Sequence, residues 1–295
     1  MTGASNDVRL GRWWARAQMA LLALALLGAV ATIPPAPVGT GAAASVEQAT
    51  TAPIRYLDHV FDGVQRTSAV PDRGALDVEG ELRTLHLEIY EPAGDTAEQR
   101  PVVLLFHGGF FVFGDHLGDS WGAGPRYAES WARRGYVAVS VQYRLRPDMG
   151  LFADVDFAAL EAANLDAHDV AAGASDWLVD RADGLRIDPR AIVAYGPSAG
   201  GAIAWNLAWM QGSGLRPDPS GVAAAVSVAG APFETTAGTG EPLAAASPGD
   251  APVLAFHGTD DGIVPIELAA APCRAAADAG VRCERVPYGG LGHPG

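Results

Sequence analysis

From about Ile54 onward the apolar positions of this chain alternate between two periods. Short continuous runs such as Val102-Val103-Leu104-Leu105-Phe106 and Pro252-Val253-Leu254-Ala255-Phe256 read as strands covered on both faces. Candidate strands are 54–62, 84–91, 102–106, 136–143, 191–195, 223–229, 252–257 and 282–288. The first two alternate more, with Leu85, Leu87 and Ile89 set against His86 and Glu88, and are expected as antiparallel edge strands. Between strands the period becomes helical. Val170, Ala174, Trp177, Leu178 and Arg181 share a face ahead of Ile187-Asp188-Pro189, and Gly201 to Met210 reads as a second helix. Strands alternating with helices predict an α/β fold, a mostly parallel eight-stranded sheet flanked by helices. Ligands of such sheets bind at the C-terminal strand ends.

The N-terminus follows neither period. Arg9, Arg12 and Arg16 precede an apolar run from Met19 to Ile33, long enough for a signal-peptide core and short of the ~20 residues that span a bilayer. Ala42-Ala43-Ala44-Ser45 is the expected cleavage site, and no cysteine stands near it to carry a lipid. Residues 1–44 are therefore expected to be a signal peptide, or an uncleaved anchor helped by Trp13 and Trp14, with the start of a Pro-, Gly- and Ala-rich linker over 34–52. Either way the body is exported, to the medium when the segment is cleaved or to the cell envelope when the uncleaved segment tethers it to the membrane. Cys273 in a predicted helix and Cys283 in the next strand fit that route, and a disulfide between them is expected, two buried thiols being the alternative.

Composition narrows the partners. At 295 residues and 49% hydrophobic content the chain can bury a sizeable core. A net charge of −14 argues against a nucleic-acid partner, which needs clustered cations. All basic residues are Arg, so no Ser–Lys catalytic scheme is available.

The candidate chemistry sits just after predicted strands. Gly196-Pro197-Ser198-Ala199-Gly200-Gly201, squeezed between strand and helix, makes a sharp turn that exposes a serine hydroxyl above a helix N-terminus. His107-Gly108-Gly109-Phe110-Phe111 follows strand 102–106. Its backbone N–H groups at Gly108, Gly109 or Phe110, with that of Ala199, suit an oxyanion. His107 and Phe111 are the candidates for contact with substrate. His257-Gly258-Thr259-Asp260-Asp261 offers two aspartates to orient a histidine, and Gly289-Gly290-Leu291-Gly292-His293 offers the histidine. His59 and His86 fall in predicted edge strands, His168 on a helix and His116 in a polar loop. No pair has metal-ligand spacing with a supporting carboxylate, so neither a metal nor a cofactor is expected.

The strings HGGFFVFGD (107–115), QYRL (142–145), GPSAGG (196–201), HGTDDGIVP (257–265) and GLGH (290–293), with the segment from Asp169 to Pro189, resemble the α/β-hydrolases. Within them the likeness is to the esterase and lipase group, hormone-sensitive-lipase-like carboxylesterases and small feruloyl- or acetylesterases, over about residues 84–295. The resemblance implies an α/β-hydrolase domain within 45–295 that cleaves a small-molecule ester through an acyl-enzyme at Ser198, with His293 as base. It favours Asp261 over Asp260 as the acid, since the family's acid stands three residues before the valine of D-x-x-V-P. Phe110 replaces the third glycine of H-G-G-G and is expected to narrow the acyl pocket. The short connection 230–251 implies no large cap domain. The family continues past its histidine with a packed helix, where here Pro294 and Gly295 follow, so the expectation is either an abbreviated terminus or a fragment, with a mobile His293 that lowers activity. The competing readings are a hydrolase-like binding protein and a peptidase of the same fold.

Overall fold

The computed structural model describes residues 52–119, 122–150, 156–210, 222–232 and 245–294. The expected export segment lies outside these residues. Eight strands form one sheet: β1 (Val64–Leu76), β2 (Leu82–Pro92), β3 (Arg100–Leu105), β4 (Val137–Val141), β5 (Ile187–Pro197), β6 (Val222–Val228), β7 (Val253–Gly258) and β8 (Cys283–Tyr288). Their spatial order is β1-β2-β4-β3-β5-β6-β7-β8. The β1–β2 and β2–β4 pairs are antiparallel, and the rest of the sheet is parallel. The described helices are α1 (Pro125–Ala132), α2 (Phe157–Asp180), the short α3 (Ala182–Leu185), α4 (Ala199–Trp209) and α5 (Glu267–Asp278).

Both faces of the sheet are covered, as the continuous apolar runs require. Every residue of β4 and β7 is buried, and Val102 to Leu105 of β3 have no exposed surface. Apolar residues of α2, α4 and α5 join one face of the sheet in the larger core, while Ala128, Trp131 and Ala132 of α1 pack on the other. Helix α4 is apolar all round, and all of it is buried between the sheet and α2. The lone polar side chain within it is Asn206. Among the described residues no cap domain is evident between β6 and β7.

Two expectations at the N-terminal side are corrected. Residues 54–62 form no strand. Tyr56 adopts φ 72°, Asp58 N–H donates to the Ile54 carbonyl at 2.8 Å, and Tyr56, Val60 and Phe61 donate backbone bonds to Arg133 and Arg134 at the end of α1. The apolar residues there cover a helix end rather than a sheet, and His59 sits in this loop. The first strand is instead Val64–Leu76, whose many polar residues and Pro71 are tolerated because it lies at the edge. β2, expected at an edge, has β4 on its other side.

Candidate active site

Ser198 joins β5 to α4 with φ 51° and ψ −120°, a conformation that L-residues rarely adopt. Its surroundings impose it. The Ser198 N–H donates to the Val228 carbonyl at 2.8 Å, and its own carbonyl accepts from Ala202 at 3.0 Å. A Cβ on Gly200 would stand 2.0 Å from the Phe106 carbonyl oxygen, so the turn passes β3 only because that residue is glycine. Although Ser198 is the N-cap of α4, its side chain makes no capping bond. The hydroxyl is left for other work.

That work is visible in two hydrogen bonds. Ser198 Oγ lies 2.8 Å from His293 Nε2, and His293 Nδ1 lies 2.8 Å from Asp261 Oδ2. Asp261 is 6% exposed; its other oxygen, Oδ1, accepts from Ile263 N–H at 3.0 Å and Val264 N–H at 2.9 Å. Burial opposes ionisation of this carboxyl, but donors from His257, His293 and the Val264 backbone outweigh it and hold the carboxyl below the usual carboxylate range. With an ionised acceptor at Nδ1, the His293 Nε2 lone pair faces the serine hydroxyl. That is the arrangement of a general base. Asp260 is exposed and, among the described residues, accepts from its neighbour Thr259 Oγ1 at 2.9 Å; of the two aspartates, Asp261 is the one beside His293.

The loop that carries His293 is hydrogen-bonded to the acid loop. Gly290 N–H donates to Thr259 Oγ1 at 2.9 Å, and Asp260 N–H donates to the Leu291 carbonyl at 3.0 Å. A disulfide between Cys273 of α5 and Cys283 of β8, with Cα atoms 5.0 Å apart, ties down the strand that leads into this loop.

The loop after β3 turns through three left-handed residues, Gly109 (φ 116°), Phe110 (φ 57°) and Phe111 (φ 61°). Phe110 is thus a bulky side chain held at positive φ, and both phenylalanines line the cleft at Ser198. His107 does not. It is 2% exposed and lies beneath the loop, donating from Nδ1 to the Gly108 carbonyl at 2.6 Å and stacking on Tyr143 at 4.2 Å between centroids. Burial pushes its pKa down to about 4, so it is neutral. The Tyr143 hydroxyl donates to the His107 carbonyl at 2.8 Å, which fixes the loop from below. The reading of His107 as a substrate contact is thus replaced by a supporting role, because its ring faces the core.

A cleft of about 500 Å³ opens at Ser198, walled by Phe110 and Phe111, by Leu160 and Asn164 of α2, and by Ile263 and Leu268 beside the acid loop. Sequence reasoning missed this second half. It also missed His257, whose Nε2 donates to the Val264 carbonyl at 2.7 Å and lies 3.4 Å from Asp261 Oδ2. A signal for Asn164 existed in Asn206, the polar residue in an otherwise apolar helix.

With the geometry in hand, known proteins resemble the chain in the same region. The BD-FAE family model, of an α/β-hydrolase-type esterase family, matches residues 87–218. Esterase 2 of Thermogutta terrifontis, solved as the enzyme phosphorylated by paraoxon, is 26% identical with a TM-score of 0.61, over 82% of this chain and 87% of that one. The same esterase with propionate bound is 27% identical with a TM-score of 0.58, over 76% and 85%. The non-reducing polyketide synthase trt4 of Aspergillus terreus is 31% identical over 153 residues, which is 50% of this chain and 6% of that protein's length.

Proposed function

We propose that this chain, which has the α/β-hydrolase fold and resembles esterases along most of its length, is a serine carboxylesterase acting on small, uncharged esters. The observation that carries the reading is the pair of 2.8 Å hydrogen bonds running from Asp261 through His293 to Ser198. Ser198 Oγ attacks the ester carbonyl as His293 Nε2 takes its proton, and Asp261 stabilises the imidazolium that results. Backbone N–H groups of Ala199 and of the Gly108–Phe110 turn receive the negative charge that grows on the carbonyl oxygen. His293 then returns the proton to the departing alcohol, leaving an acyl group on Ser198. Water, deprotonated by His293, releases the acid in the second half.

The apolar walls of the cleft favour uncharged acyl and alcohol groups, since an ion there would lose its hydration without a partner. The resemblance to an esterase captured with propionate and with butyrate supports short acyl chains. The proposal includes export through the N-terminal segment, to which the Cys273–Cys283 disulfide adds an oxidising compartment. Intact mass of the mature protein tests that part.

The test of the chemistry is Ser198→Ala, assayed on p-nitrophenyl acetate and butyrate beside fluorophosphonate labelling. Turnover and labelling are expected in the wild type and absent in the variant. Unchanged turnover in the variant excludes Ser198 as the nucleophile.

A further inference from the structure

The cleft contains a donor that the acyl-transfer chemistry does not use. Among the described residues lining it, Ser198 and Asn164 carry the polar side-chain atoms, and none carries a charge. Asn164 is 3% exposed. Its Oδ1 accepts a short hydrogen bond from Nδ2 of Asn206, which is fully buried in α4. In this bond the Asn164 oxygen turns toward Asn206, which leaves its Nδ2 on the cleft side. The Asn164 Nδ2 then has no acceptor among the described residues.

The Asn164 Nδ2 keeps contact with the open cleft, and a bound substrate that covers it without supplying an acceptor costs free energy of the order of a lost hydrogen bond. Tying α2 to α4 does not require a donor at the cleft, since an apolar pair at 164 and 206 would join the helices in the same space. We propose that Asn164 is a specificity-determining residue. Its Nδ2 donates a hydrogen bond to an uncharged acceptor oxygen, a ketone, ether or second ester carbonyl, carried on the part of the substrate that enters the cleft. The inference rests on the esterase reading of Ser198 and narrows it: the preferred substrate is an otherwise apolar ester bearing one such oxygen. An all-apolar ester of the same shape leaves the amide stranded, and a site built around a donor discriminates against the analogue that lacks the acceptor.

Matched pairs of esters test this. In the acyl series p-nitrophenyl 4-oxopentanoate is compared with p-nitrophenyl 4-methylpentanoate, and in the alcohol series 2-methoxyethyl acetate with butyl acetate. The ratio of kcat/KM within a pair, compared between wild type and variant, cancels intrinsic reactivity. Fluorophosphonate labelling counts folded sites in each preparation. Asn164→Leu removes the donor and also takes from Asn206 its acceptor at position 164. Asn164→Asp at pH 8 keeps an oxygen for Asn206 and places an acceptor where Nδ2 stood, which inverts the polarity facing the cleft, and the labelling count corrects for any loss of folded sites. In at least one series the ratio is expected to fall by about tenfold in both variants, the size of one neutral hydrogen bond. Ratios unchanged within about twofold in both series overturn the role of Asn164 and leave it a structural tie. So does a wild-type preference for hydroxyl-bearing over acceptor-only esters. A wild type that is neither labelled nor active on any ester overturns the esterase reading itself.

Discussion

Replacing Asp261 with Asn changes one atom and sets two requirements against each other. Asp261 Oδ1 accepts from two backbone N–H groups, and Oδ2 accepts from His293 Nδ1 at 2.8 Å. An asparagine has a single side-chain oxygen. If that oxygen stays with Ile263 and Val264, the amide NH₂ faces His293 Nδ1, a donor against a donor. The ring escapes by moving its proton to Nε2, which then points an N–H at Ser198 Oγ, where a lone pair is needed. If the amide flips, its NH₂ meets the two backbone donors and the acid loop is disturbed instead. The expected loss in kcat is about 10⁴-fold, the size associated with a wrong histidine tautomer. That is about 5 kcal/mol of transition-state stabilisation. The assay is kcat on p-nitrophenyl butyrate per folded molecule, with Asp260→Asn as control, expected within about twofold of wild type because that side chain is exposed. Acid titration adds a second reading. The Asp261 carboxyl is held low, so its native contacts contribute stability above about pH 4 and lose it as pH falls through the lowered value; the stability gap to the Asn variant should narrow there. A folded Asp261→Asn variant retaining more than about a tenth of wild-type kcat would refute the assignment of the acid.

Further expectations follow from other parts of the molecule. Reducing the Cys273–Cys283 bridge, or replacing both residues with Ser, should cost about 2–3 kcal/mol and lower the melting temperature by roughly 5–10 °C; a shift below about 1 °C in calorimetry contradicts this. Gly200→Ala should abolish fluorophosphonate labelling and destabilise by more than about 3 kcal/mol, because the new Cβ meets the Phe106 backbone oxygen. Gly289→Ala, with open space around it, should shift stability by no more than about 0.5 kcal/mol. Buried His107, with its pKa near 4, is neutral in the fold, while an unfolded histidine takes a proton below about pH 6.5; stability should fall between those values by up to about 3 kcal/mol. Melting curves from pH 7 to 4 should slope less steeply for a His107→Gln variant, and equal slopes argue against the buried neutral ring.

The interior of the sheet was legible because its strands are buried on both faces and have no choice but to be continuously apolar, as Val102 to Leu105 are. β1 was not, since an edge strand answers mainly to its single neighbour; its polar run with Pro71 resembles a loop, while the genuinely apolar Tyr56, Val60 and Phe61 belong to a loop that caps α1. Ser198, Asp261 and His293 could be read because each follows a strand in a short glycine-rich string. The role of His107 could not. A histidine after a strand has the same appearance whether its ring points into the cleft or, as here, back onto Tyr143. Asn164 and Asn206 stand far apart in the chain, and their pairing exists only once α2 lies against α4. Walls contributed by several loops carry no local signature at all.

The backbone of Ser198 has a consequence for how this protein can drift. At φ 51° a side chain of any kind is held against its preference, and glycine is the residue that would sit there without strain. Ser198→Gly thus relaxes the fold at the position where it extinguishes the chemistry. Selection for stability alone would favour the silent protein.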